Sequence, residues 1–170
     1  VSYVGQAVFA IVAENMRAAR DALPLAAVSY NALPAILTIE DAMRAGSWLG
    51  PAAVMENGDP DGAIAAAPHH LSGRIDIGGQ EHFYLEGQIA FVIPQEDNDF
   101  KIYSSTQHPS ETQQIIAKML NQKNNTIKVE VRRIGGGFGG KETQSFIFAA
   151  ICTLLSKKTK HPVKLKMDRD

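Results

Sequence analysis

Two stretches of this chain hold residues whose types and spacing could do chemistry. Residues 135–140 read GGGFGG, five glycines in six positions, followed by Lys141 and Glu142. Glycine reaches φ > 0 without strain and lets backbone approach a partner closely. A helix starting just after such a loop offers unpaired N–H groups to an anion. The run fits G-x-G-x-x-G literally and most of G-x-x-x-x-G-K. The phosphate-loop reading fails at Glu142, which stands where Ser or Thr must hold magnesium and whose carboxylate would repel phosphate. The dinucleotide reading fails farther along, because residues 155–165 contain no acid for a ribose. A tight strand-to-helix connection without ligand needs only one or two glycines, so five imply something close to the backbone. Phe138, an aromatic inside the loop, is expected to wall a pocket.

The second stretch is GGQEHFYLEGQ, residues 78–88. Gln80, beside two glycines, suits presentation of a neutral amide to a polar ligand. Glu81 and His82 invite a metal reading, but adjacent residues on a strand point to opposite faces and do not readily chelate one ion. His69, His70, His108 and His161 fall at loop or turn positions and read as solvated histidines.

Elements must position these residues. Gln6–Ala13 is nearly all apolar and predicts a buried strand. Asn15 then caps a helix with Ala18, Ala19, Ala22 and Leu23 on one face, ended by Pro24. Leu25–Tyr30 predicts a second strand. Thr38 caps a short helix with Glu40 and Asp41 in its first turn and Gly46 at its end. Residues 47–68, punctuated by Gly50, Pro51, Gly58, Pro60, Gly62 and Pro68, predict a plain linker or a lid. Gln88–Pro94 and Phe100–Ser105 predict a strand pair joined by QEDND. Ser110–Asn121, opened by Pro109, predicts a helix with Thr112, Ile115, Ile116, Met119 and Leu120 as its stripe. Ile127–Ile134 alternates as a half-buried strand. Lys141–Ser156 predicts a deeply buried helix with Glu142 at its start, either meeting a ligand or capping first-turn amides. Lys157, Lys158 and Lys160 complement its C-terminus, Pro162 stops it, and Val163–Met167 predicts a last strand.

The bulk numbers exclude several classes. The 170 residues are 45% hydrophobic and 21% charged, an ordinary globular composition. The net charge of −1 favours neither nucleic acid nor a membrane surface as partner. No apolar run approaches the roughly 20 residues of a membrane span. The first residues lack a signal-peptide pattern and an opening Met, which predicts that the start of the gene product lies upstream. Cys152, the lone cysteine, allows no internal disulfide and no cysteine-based metal site, and fits a reducing cytoplasmic setting.

GGQEHFYLE and GGGFGGKE, in this order, resemble the molybdenum hydroxylases and specifically xanthine dehydrogenases. YSSTQHPSE between them and the ending MDRD resemble the same family, in its bacterial form with a separate molybdenum subunit. VGQAVFAIVAEN resembles the start of the latter part of the family's α/β hammerhead domain. The resemblance implies an α+β fold: residues 1–57 a partial hammerhead domain, 58–69 a linker, 70–170 the first part of a molybdopterin-binding α/β domain. It implies that Gln80 hydrogen-bonds an oxo ligand of molybdenum, that Phe138 and Gly139 lie over the metal centre, and that Glu142 contacts a purine. In the related aldehyde oxidases that last position is apolar.

The whole enzyme implied by the resemblance hydroxylates hypoxanthine and xanthine to urate at a molybdenum–molybdopterin cofactor. Electrons pass through 2Fe–2S clusters and FAD to NAD. The base glutamate, a substrate-facing arginine and an aromatic pair are expected beyond residue 170, and the FAD and iron–sulfur groups on other domains or a partner subunit. The 170 residues alone are therefore expected to bind no cofactor and to be inactive. The alternative is a folding or assembly module of an aldehyde-oxidase-type molybdenum hydroxylase, without cofactor in this piece.

Overall fold

The computed structural model describes residues 1–168; Arg169 and Asp170, the end of the MDRD motif, lie outside the described residues. Contacts group Val1–Ala26 with the stretch from Gln80 on, and Ala27–Gly79 separately. The division at 57 and 69 rests on the resemblance alone.

The larger unit is built on a four-stranded mixed sheet in the order Ile127–Glu130, Phe100–Ser104, Ile89–Pro94, Val163–Lys166. Strands β1 (Ile89–Pro94) and β2 (Phe100–Ser104) form an antiparallel hairpin closed by a 3₁₀ turn at Glu96–Asn98. From β2 the chain crosses through a helix, Pro109–Leu120, to the parallel strand β3 (Ile127–Glu130). A second helix, Ser145–Thr159, leads to β4 (Val163–Lys166), antiparallel to β1. Alternation along the strands sends Ala90, Val92, Phe100, Ile102, Ile127 and Val163 to one buried face. Ile116 and Ala117 of the first helix and Ala149 and Cys152 of the second complete that core. This apolar burial is the main stabilising term.

Numbered in chain order, the helices are α1 (Met16–Ala22), α2 (Ile39–Ala45), α3 (Pro60–Ala66), α4 (Pro109–Leu120) and α5 (Ser145–Thr159). The caps expected from sequence form. Asn15 accepts from the Ala18 N–H, Thr38 from the Asp41 N–H, and Gly46 closes α2 in the left-handed conformation. The stripe of α4 is rotated slightly: Thr112, Ile116 and Ala117 are buried, while Met119 is exposed.

Four expectations are corrected. Gln6–Ala13 and Leu25–Tyr30 are not strands, because neither finds a ladder partner among the described residues; Val8, Phe9 and Val12 stay exposed. Within 47–68 the chain forms one short helix: Asp59 accepts from the Gly62 N–H and Pro60 opens α3. β3 ends at Glu130 rather than Ile134, because its partner β2 turns away after Ser104. α5 starts at Ser145 rather than Lys141, since Phe138 and Gly139 both have φ > 0 and residues 138–144 form turns.

The unit Ala27–Gly79 contains α2 and α3 and no buried residue. Arg74 pairs there with Glu40 (3.2 Å) and Asp76 (3.1 Å), exposed contacts of little energetic weight.

Candidate functional site

The two motifs singled out in the sequence meet at one end of the sheet. Residues 80–88 lead into β1, and the glycine loop leads from β3 toward α5. Their junction is a polar lattice centred on Lys141. Its side chain is completely buried, and Nζ donates to Glu86 Oε2 at 2.8 Å and sits 4.6 Å from the centroid of the Tyr84 ring. The same Glu86 oxygen accepts from the Gly135 N–H at 3.1 Å, and the Glu86 N–H donates to the Gly135 carbonyl at 3.1 Å. Burial pushes the Glu86 carboxyl up, but the bond from Lys141, the bond from Gly135 and the Lys141 charge together hold it below its ordinary value.

Gln88, buried at the foot of β1, donates from Nε2 to the Gly140 carbonyl (2.9 Å) and to the Tyr84 hydroxyl (3.0 Å). From the other side, the β2–α4 connection grips the loop. The Gln107 N–H donates to the Lys141 carbonyl at 2.9 Å, and Gln107 Oε1 accepts from the Gly139 and Lys141 amides at 3.0 and 3.2 Å. The loop glycines are explained at least in part by the chain itself. A Cβ at Gly137 would lie 2.5 Å from Gln107 Oε1. At Gly139 the constraint is conformational, φ +87, and a Cβ there would meet nothing within 4 Å.

Of the residues expected to meet a ligand, Gly139 is part of this lattice, while Gln80, Phe138 and Glu142 lie around it and are exposed. Gln80 makes only a long 3.5 Å bond to the Glu81 carbonyl, and no described contact joins it to the loop. Glu81 turns back to accept from the Phe83 N–H. His82, by contrast, approaches Gly140, where an added Cβ would be 2.8 Å from the imidazole. Phe138 has a left-handed backbone (φ 52), and the residue is 75% exposed. Glu142 does not open α5 and caps nothing; its carboxylate has no hydrogen-bond or ion-pair partner among the described residues.

No group of His, Cys, Asp and Glu among the described residues could hold a bare metal ion. No helix among them is long and apolar enough to cross a membrane. What the site end offers is neutral donors: the Gln80 amide, and the backbone amides of Gly136, Gly137 and Phe138, which have no partner among the described residues. Such donors suit an oxygen-rich or anionic group that brings its own metal.

Sequence reasoning found the motifs but not the residues that join them. Glu86, Gln88 and Lys141 stood inside the motifs as quoted. A lysine between a glycine loop and an apolar helix, with no phosphate to bind, was the available signal for a buried ion pair.

Residues 49–170 match the molybdopterin cofactor-binding domain family. The chain belongs to that family, within the molybdenum hydroxylases. The match to this cofactor-binding domain includes both motifs and the whole sheet. Across its length the chain is 42% identical to the xanthine dehydrogenase of Emericella nidulans and 42% identical to the xanthine dehydrogenase/oxidase of Mus musculus. It is equally 42% identical, over 98% of its length, to aldehyde oxidase 2 of Cavia porcellus, so overall identity does not separate the two classes. The chain spans 12% or 13% of the length of these relatives. The fold is that of quinoline 2-oxidoreductase from Pseudomonas putida 86: TM-score 0.71 at 24% identity, covering 92% of this chain and 21% of that one.

Proposed function

We propose that this chain supplies part of the active-site wall of a xanthine dehydrogenase, whose full length hydroxylates a purine ring at a molybdenum–molybdopterin cofactor. The observation that carries the reading is the lattice joining the two motifs, with Glu142 left exposed and unpaired just outside it. Glu142 makes no bond to the frame among the described residues. Its carboxylate is free to accept hydrogen bonds from the N–H edge of a heterocycle, which an aldehyde lacks.

In this proposal Gln80 and the Phe138–Gly139 backbone face the cofactor. When bound, the cofactor supplies a two-electron acceptor and activates the oxygen that enters the ring. The chain's own residues do the rest of what can be assigned here. The loop amides are held donors toward oxygens on which charge develops, and the exposed Gln80 amide adds a further donor. Donors placed in advance in this way can contribute about 3–4 kcal/mol each. Glu142 orients the purine. The base glutamate, the 2Fe–2S clusters and FAD that deliver electrons to NAD, and a cytoplasmic setting belong to the remainder of the proposal, as does the bacterial arrangement with these electron carriers on a separate subunit.

The test is Glu142→Val in the full-length protein. Efficiency on xanthine falls by roughly 10²-fold or more, because a site built to bond a polar group discriminates strongly once the bond is lost. Oxidation of a simple aromatic aldehyde falls much less, or rises. Equal losses on both substrates, together with a lower melting temperature, would mean that Glu142 is structural and that the purine assignment loses its main support.

A further inference from the structure

We infer that Gln107 is a positioning residue whose side-chain carbonyl latches the glycine loop in its observed conformation. Four observations carry this. First, one oxygen, Oε1, accepts from two amides that bracket Gly140, at Gly139 (3.0 Å) and Lys141 (3.2 Å). Both partners are N–H donors, so the oxygen and not the nitrogen of the carboxamide must face them.

Second, the backbone that presents Gln107 is itself fixed on both sides. The Ser105 N–H donates to the Ile89 carbonyl at 3.0 Å, the Gln107 N–H to Lys141 at 2.9 Å, and the His108 N–H to Thr106 Oγ1 at 3.1 Å. Thr106 Oγ1 in turn donates to the Lys141 carbonyl at 3.3 Å. A side chain on so restrained a stem loses little further entropy in making its bonds.

Third, the loop has been shaped to receive the carboxamide. Gly137 has no Cβ at the place where one would collide with Gln107 Oε1 and Cδ. Fourth, the segment so held is in an unfavourable conformation. Phe138 (φ 52) and Gly139 (φ 87) are consecutive left-handed residues, a state a phenylalanine does not keep without external restraint. The latch therefore acts at the point where the backbone would otherwise relax, and relaxation would move Phe138 and the unpaired amides before it.

The catalytic consequence rests on the function proposed above, that this loop faces the cofactor; the latch itself does not. The experiment separates the two. In the full-length protein, Gln107→Met removes the acceptor at similar length, Gln107→Leu removes it at similar shape, and Gln107→Glu keeps an oxygen acceptor. Hydrogen–deuterium exchange is followed in the peptide covering residues 135–141, with peptides from β1 and α5 as folding controls. Loop exchange rises on the order of 10-fold in Gln107→Met and Gln107→Leu and stays near the parent in Gln107→Glu, with the controls unchanged in all three. In the variants that lose the latch, molybdenum content is retained and kcat on xanthine falls on the order of 10-fold. Unchanged loop exchange in Gln107→Met and Gln107→Leu, or an equal rise in Gln107→Glu, overturns the latch. Faster loop exchange with full molybdenum content and an unaltered kcat leaves the latch standing and overturns the placement of the loop against the cofactor.

Discussion

Replacing Glu86 by Gln removes the charge that compensates Lys141 while keeping the side chain's shape. The Lys141 side chain has no exposed surface, and its ammonium lies 2.8 Å from the carboxylate. At an effective dielectric near 20 the gross attraction at that distance is about 6 kcal/mol, much of which offsets the desolvation of the two ions. Glu86→Gln strands a buried cation, and the expected loss of stability is about 3–5 kcal/mol. Lys141→Met is milder. The Glu86 side chain is 32% exposed, so water can solvate the orphaned carboxylate, and the Gly135 N–H still donates to it. Met also fills most of the volume against Tyr84, and the expected loss is about 1–3 kcal/mol. The double variant loses less than the sum, with a coupling of about 1–3 kcal/mol. Urea unfolding of the 170-residue chain, followed by far-ultraviolet circular dichroism, measures all four corners of the cycle.

The acid limb adds a second check. The folded-state carboxyl of Glu86 is held below its ordinary value of 4.5. Its contribution is therefore complete above that value and is lost as the pH falls through the folded-state value. The gap between parent and Glu86→Gln should narrow as the pH falls below 4.5. A Lys141→Met loss equal to or larger than that of Glu86→Gln, an additive double variant, or a gap indifferent to pH would each refute the buried pair as the joint between the motifs.

Three further outcomes are expected. Gly139→Val places a β-branched residue at φ +87, which strains the backbone by roughly 1–3 kcal/mol; in the full-length protein it should reduce both molybdenum content and turnover, whereas Gln80→Ala, which removes one exposed donor, should slow turnover by roughly 10²-fold or less with the metal retained. Burial pushes the Cys152 thiol from 9.0 up to about 12, so it favours the folded state below pH 9 and that stability is lost as the pH rises from about 9 toward 12. Denaturation at pH 8 and pH 11 should then show the parent losing about 2–3 kcal/mol more than Cys152→Ala over that interval.

What the sequence disclosed and what it withheld divide along physical lines. Elements whose signal is local were legible. Asn15, Thr38 and Gly46 mark helix ends by side-chain and backbone chemistry that needs no partner, and the β1–β2 hairpin and α4 carry their own periodicity. Features that depend on a partner were not. QAVFAIVA has the composition of a strand, but a strand exists only when another supplies the ladder, and none among the described residues does. The start of α5 was misplaced because the apolar run was visible and the two left-handed residues before it were not.

The site shows the same division at finer grain, and it bears on how the function should be argued. Both motifs were recognisable as chemistry. The residues assigned to ligands, Gln80, Phe138, Gly139 and Glu142, turn out to share few contacts with one another. The residues that bring the motifs together, Glu86, Gln88, Gln107 and Lys141, carry no ligand role in the sequence reading. Glu86 and Gly135 are 49 residues apart, and Gln107 and Gly139 are 32 apart, so no local pattern announces either bond. A glycine-rich loop is floppy by composition; held at Gly135, Gly139, Gly140 and Lys141 by three side chains of the frame, it is not. Five glycines first suggested room for a ligand. Some of that room is taken by Glu86, His82, Tyr84 and Gln107, and the part left free is narrow: the amides of Gly136–Phe138, the exposed Phe138 ring and the Glu142 carboxylate. A ligand of this loop is to be read from that remainder, together with the Gln80 amide; they offer hydrogen-bond donors to an oxygen-rich group and one acceptor to an N–H edge.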